Sequence, residues 1–140
     1  MAFLFDTDAI SELLRPRPAT AYLEWIMRVA REEQFTSAVV IGELYKGAYR
    51  SQNRDHHLSN IEKRVLPAVT VLPYDIAIAK VFGSTRAHLE AQGMILPDAD
   101  IQIAATAIGH NLELVTGNLR HFNRIPGLKL NKALANSRAR

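Results

Sequence analysis

Three acids and one amide stand where an apolar segment ends or is interrupted: Asp6, Glu43, Asp100 and Asn118. Asp6 closes the run Ala2-Phe3-Leu4-Phe5. Glu43 sits inside Val39-Val40-Ile41-Gly42-Glu43-Leu44. Asp100 opens the apolar stretch 101–108, and Asn118 follows Leu112–Thr116. Each has an ordinary reading: Asp98 or Asp100 as helix caps, Glu43 as a solvated helix residue, Asn118 as a turn residue, and Thr7 as a hydroxyl satisfying backbone groups. Taken together they suggest more. Two unit charges about 4 Å apart repel by about 4 kcal/mol at an effective dielectric of 20. Converging carboxylates therefore need a proton or a cation. Oxygen ligands without cysteine select a hard cation, Mg²⁺ or Mn²⁺, and such sites run phosphoryl chemistry.

Glu43 is followed by Lys46, Gly47 and Arg50, which share its helix face. That face is either a solvated ion-pair surface or a site holding a metal at one end and a phosphate backbone at the other. Lys46 and Arg50 are the candidates for contact with the backbone phosphates of a nucleic acid, with salt-dependent and largely sequence-independent affinity. The five histidines are scattered, apart from the adjacent His56 and His57, and all are read as surface or capping residues.

The elements that must position these residues follow from periodicity. Ala2–Phe5 is a continuous apolar run, expected as a strand buried on both faces. Asp8 is expected to cap a helix over Ala9–Leu14, stopped by Arg15-Pro16-Arg17-Pro18. Thr20 is expected to cap Ala21–Arg31. Gln34–Thr36 is a short strand, Ser37 opens the helix Ala38–Arg50, and Arg54–Val65 is helical up to Pro67. Val69–Leu72 is a strand, and Asp75–Gln92 a long helix stopped by Gly93. Ala99–His110 is a buried helix, Leu112–Thr116 a strand, Arg120–Asn123 a helical turn and Gly127–Leu130 a last strand. Short strands alternating with helices predict a mostly parallel sheet covered on both faces. One domain is expected over 1–130, with 131–140 a basic tail that frays.

Composition narrows the class. The 140 residues are 48% hydrophobic and 22% charged, as in ordinary globular chains. No apolar stretch approaches the roughly 20 residues that span a bilayer. With a strand from residue 2, no cleavable leader is expected. The absence of cysteine excludes disulfides and thiolate chemistry and fits a cytoplasmic location. A net charge of +3 and a pI near 9.4 favour a polyanionic partner.

The segments Phe5-Asp6-Thr7-Asp8-Ala9-Ile10-Ser11-Glu12-Leu13, Gly42-Glu43-Leu44-Tyr45-Lys46-Gly47, Leu96-Pro97-Asp98-Ala99-Asp100-Ile101-Gln102-Ile103-Ala104-Ala105-Thr106-Ala107 and Leu114-Val115-Thr116-Gly117-Asn118 resemble, in order, the motifs of PIN-domain ribonucleases. They are most similar to the VapC-type toxins of bacterial toxin–antitoxin pairs. The resemblance implies a PIN-like α/β/α sandwich and a Mg²⁺- or Mn²⁺-dependent RNA endonuclease, with tRNA a plausible substrate. It also implies a cognate antitoxin and homodimerisation. Carried over, Asp6, Glu43 and Asp100 are the metal-binding acids, and Asn118 takes the fourth catalytic position. Thr7 matches the hydroxyl beside the first acid, and Asp98 is a supporting residue. The chain departs from the pattern at Asp8, where Asn is usual, at Gly117, where a larger residue is common, and at His121, where an acid is common.

Two other functions fit parts of this pattern. Asp6-Thr7-Asp8 resembles the strand-end motif of haloacid-dehalogenase-type phosphatases, with Asp6 as nucleophile. Against it, Ala9-Ile10 stands where that motif carries Gly-Thr-like residues after its second acid. A non-catalytic RNA- or protein-binding module on the same fold is the other alternative, against which the intact set of acids stands.

Overall fold

A computed structural model describes residues 1–139. Its centre is a five-stranded sheet, entirely parallel, built from β1 (Phe3–Phe5), β2 (Gln34–Ser37), β3 (Thr70–Leu72), β4 (Glu113–Val115) and β5 (Lys129–Asn131), in the order β3-β2-β1-β4-β5. Parallel neighbours need a crossover between them, and helices supply it throughout: α1 (Thr7–Leu14), α2 (Thr20–Ile26), α3 (Ala38–Arg50), α4 (Arg54–Asn60), α5 (Ile76–Ala91), α6 (Asp98–Gly109) and α7 (Leu119–Phe122), with α8 (Ala133–Arg138) following the last strand. Successive strand residues point to opposite faces. Leu4 and Phe5 in β1, and Leu114 and Val115 in β4, are all buried, so both faces of the central strands are covered. This is the α/β sandwich the alternation predicts.

The core explains the local choices. α6 carries Ile101, Ile103, Ala104, Ala105 and Ala107, all essentially inaccessible, and packs against α5. Its alanines leave room for close approach. Ser37 accepts from the Val40 N–H at 3.1 Å and opens α3, as expected. Thr36 donates its buried hydroxyl to the Phe5 carbonyl at 2.7 Å, fixing β2 where the chain leaves β1. Asp75 caps α5 through the Ile78 N–H, and Gly93, at φ +72°, adopts the left-handed conformation that ends it.

Three local expectations are corrected. Asp8 is not the cap of the first helix: Asp6 is, its Oδ1 accepting from the Ala9 N–H at 2.7 Å. The strand ends one residue before Asp6, so the extended residue at the boundary takes the capping role. Thr20 does not cap α2, which starts at Thr20 behind Ala19 and is shorter than expected. The Ala19 N–H is instead taken by Glu12 from seven residues back. Within the expected tail 131–140, the described residues 131–139 are not frayed. Asn131 pairs in β5, Leu134 is fully buried, and the Ser137 hydroxyl accepts from the Tyr22 N–H at 3.3 Å. Polarity suggests a loose end, but a single apolar residue and several side-chain partners hold it. Arg140 lies outside the described residues.

Candidate metal centre and nucleic-acid cleft

In an open parallel sheet, ligands gather beyond the carboxyl ends of the strands where the strand order reverses. Here that point lies between β1 and β4. Asp6 leaves β1 and Thr116-Gly117-Asn118 leaves β4, so the two turns flank it. α3 brings Glu43 and α6 brings Asp100. A cleft of about 540 Å³ at this edge is lined by Asp6, Glu43, Asp100 and Asn118, the four residues expected to carry chemistry. Lys46 and Arg50, on the exposed face of α3, border the same cleft.

Asp6 forms the floor, with 5% of its surface exposed. Burial pushes its carboxyl up to about 6, against hydrogen bonds from Thr116 and Ala9 that favour the charged form; the nearby charges of Asp8 and Asp100 raise it further. Burial also raises Asp100, which His121 opposes and Glu43 reinforces. Acids held up by burial and by one another are a feature of functional sites.

The carboxylates share a cleft without yet forming a ligand cage. Among the described residues, no three His, Cys, Asp or Glu side chains are grouped tightly enough to enclose a metal ion. The Thr7 hydroxyl donates to Glu43 Oε1, and Asp100 Oδ2 lies 3.1 Å from His121 Nδ1. The donor chemistry suits a hard divalent cation, because every acid offers oxygen and the charge on the floor has no Lys or Arg partner.

The remaining residues are sorted by the same geometry. Asn118 caps α7, its Oδ1 accepting from the His121 N–H at 3.3 Å, and also faces the cleft. The turn-residue reading holds, and the structure brings the same residue to the cleft. Asp98 points away to Arg86, outside the cleft-lining set, and is largely exposed. The structure does not bring it to the cleft: two residues before Asp100 on a helix is a turn of about 200°, which faces the other way. His121 is the residue that sequence reasoning misses. Its type alone groups it with surface and capping histidines, yet it touches Asp100 because α7 folds back across the mouth of α6. Its position three residues after Asn118 is the available signal. His56 and His57 are exposed and border an adjoining groove of about 600 Å³ that shares Thr7 and Glu43 with the cleft.

The family profile of the PIN domain matches residues 3–128. The chain belongs to the PIN-domain family. Within it, this PIN domain falls among the VapC-type toxins. It is 32% identical to Ribonuclease VapC2 of Haemophilus influenzae, covering 92% of this chain and 96% of that protein. It is 33% identical to the tRNA(fMet)-specific endonuclease VapC of Shigella flexneri, with the same coverage. The DNA-bound VapBC structure from Salmonella typhimurium superposes with a TM-score of 0.86 at 28% identity, over 94% of this chain and 97% of that one.

Proposed function

We propose that this PIN domain is an endoribonuclease, the toxin of a toxin–antitoxin pair, that hydrolyses RNA phosphodiester bonds with the aid of Mg²⁺ or Mn²⁺. The observation that carries this reading is the cleft itself: buried Asp6 without a Lys or Arg partner on its floor, half-buried Glu43 and Asp100 on its walls, and Lys46 and Arg50 on its rim. Asp6, Glu43 and Asp100 are the residues that would hold the cation. When bound, it supplies an acidified water and neutralises phosphate charge. The chain's own side chains do the rest. Lys46 and Arg50 hold the phosphates flanking the scissile bond, a contact whose affinity falls with salt. Asn118 orients a water at the mouth of the cleft. Attack on phosphorus is in line, with the 3′-oxygen leaving.

The tRNA specificity in the Shigella relative's name makes tRNA the first substrate to test. The Salmonella complex supports an antitoxin partner, and a homodimer in the cytoplasm completes the reading. Among the described residues, no helix is long and apolar enough to cross a membrane. The phosphatase alternative has lost its footing, since the chain is a PIN domain and Asp8, which that chemistry needs free, is paired with Arg138. Induced expression of wild type and Asp6→Ala, with sequencing of cleaved RNA ends, tests the activity and names the RNA. Fragment ends that appear equally in both would refute the assignment, as would full activity of the purified protein in excess EDTA.

A further inference from the structure

A second charged cluster borders the cleft and is not accounted for by catalysis. Arg138, in α8, grips Asp8 with both guanidinium ends: Nη1 to Oδ2 at 2.7 Å and Nη2 to Oδ1 at 3.0 Å. The same Nη2 donates to Glu12 Oε1 at 2.5 Å. Glu12 is buried, and its second oxygen accepts from the Ala19 N–H at 2.9 Å. A paired, planar contact of this kind fixes direction as well as charge.

Three observations show that the contact is built. A Cβ at residue 117 would meet both the Arg138 guanidinium and the Asp8 carboxylate, so a side chain there would displace the ends of the pair from the positions they hold over glycine. α8 is anchored independently by buried Leu134 and by the Ser137–Tyr22 hydrogen bond. Asp8 also lines the same cleft as Asp6, two residues away. Asp8 and Gly117 thus meet at this one arginine.

We propose that Arg138 is a positioning residue that holds Asp8 against the C-terminal rim, keeping this extra carboxylate out of the cation's ligand set. The inference rests on the metal reading above. Without the arginine, Asp8 is a free anion beside Asp6 and turns into the cleft as an additional oxygen ligand. The cation is then bound more tightly and further from the productive set of Asp6, Glu43 and Asp100.

Calorimetric titration of the whole chain with Mn²⁺ tests this without measuring cleavage. Four proteins are compared: wild type, Arg138→Met, Asp8→Asn and the double variant. Methionine keeps an unbranched stem of similar length without the charge, and Arg138→Ala serves as a second variant if Arg138→Met does not fold. A carboxylate released within a few ångströms of a divalent ion makes the expected tightening about fivefold or more. That tightening appears when Asp8 is present and is below twofold in the Asp8→Asn background. An equal change in both backgrounds would mean that Arg138 acts only as a distant charge, and no change in either would mean that it only docks α8. Both results overturn the proposal while leaving the metal site standing. A wild-type chain that binds no Mn²⁺ overturns the metal reading itself, and this inference with it.

Discussion

Asp6 on the floor of the cleft and Glu12 beneath its C-terminal rim are both buried carboxylates, 5% and 3% exposed. They lie within two turns of each other in the chain. The Arg138 guanidinium hydrogen-bonds Glu12 and pulls its carboxyl below the usual range. Asp6 meets no Lys or Arg, and burial drives its carboxyl up to about 6. Glu12 is therefore a structural charge, fully partnered. Asp6 is a charge left uncompensated, which costs stability until a ligand arrives. The contrast separates the acids that hold the fold together from those that the fold keeps available.

The largest effect expected from breaking this contrast is on the floor. Asp6→Asn should lower RNA cleavage more than about 100-fold, measured on the substrate identified by end sequencing. It should also raise the stability of the metal-free protein at neutral pH by roughly 1–3 kcal/mol, because it removes an ionised buried group while its side-chain oxygen can still accept from Ala9. Chemical denaturation in EDTA measures the second effect. A destabilised Asp6→Asn would show that the floor is not strained by its charge.

The rim should respond in the opposite direction. Glu12→Ala leaves the Ala19 N–H without its acceptor and Arg138 with Asp8 alone, and should cost about 1–3 kcal/mol. Denaturant midpoints at neutral pH report it.

The two carboxylates should also give opposite pH slopes. Asp6 titrates higher in the folded chain, about 6 against 3.8, so its folded state holds the proton more tightly. The stability it lends is present below about pH 3.8 and lost as pH rises through about 6. Glu12 titrates lower than its ordinary 4.5, so its contribution is present above that value and lost as pH falls below it. In EDTA, these two groups together put the stability maximum at about pH 4 to 4.5, with a fall from there to about pH 6, and Asp6→Asn should flatten that fall on the alkaline side. For the same reason Mn²⁺ affinity should weaken below about pH 6, by up to about tenfold per unit, as protons compete for Asp6.

The smallest effects sharpen the boundary of the site. His121→Ala removes the neighbour of Asp100 and should reduce cleavage by roughly tenfold or less, in the range of residues that orient metal ligands. Asp98→Ala breaks only an exposed pair with Arg86. It should change stability by less than about 1 kcal/mol and leave cleavage within about twofold of wild type. A large loss of cleavage with Asp98→Ala would move the third acid from Asp100 to Asp98.

Much of this architecture is legible in the chain. The apolar run before Asp6, the Ser37 cap of α3 and the Gly93 stop of α5 are local signals, set by side-chain period and backbone conformation. The four positions Asp6, Glu43, Asp100 and Asn118 can be named because a polar group closing an apolar run is costly wherever it folds. The cap at Asp6 rather than Asp8 is not legible, because it depends on where the strand ends, which its pairing with β4 decides.

What the chain determined by itself was an α/β alternation and a set of oxygen donors at strand ends and helix starts. Only the tertiary structure decided which charges are compensated. Arg138 lies 130 residues from Asp8 and 126 from Glu12, and no periodicity links them. Their meeting depends on α8 packing against α2 through Leu134 and Ser137, and on the absence of a side chain at Gly117. Burial and Coulomb energy are fixed by distances in space, so the sequence can nominate acids for the cleft, but the fold alone sets Asp6 apart from Asp8.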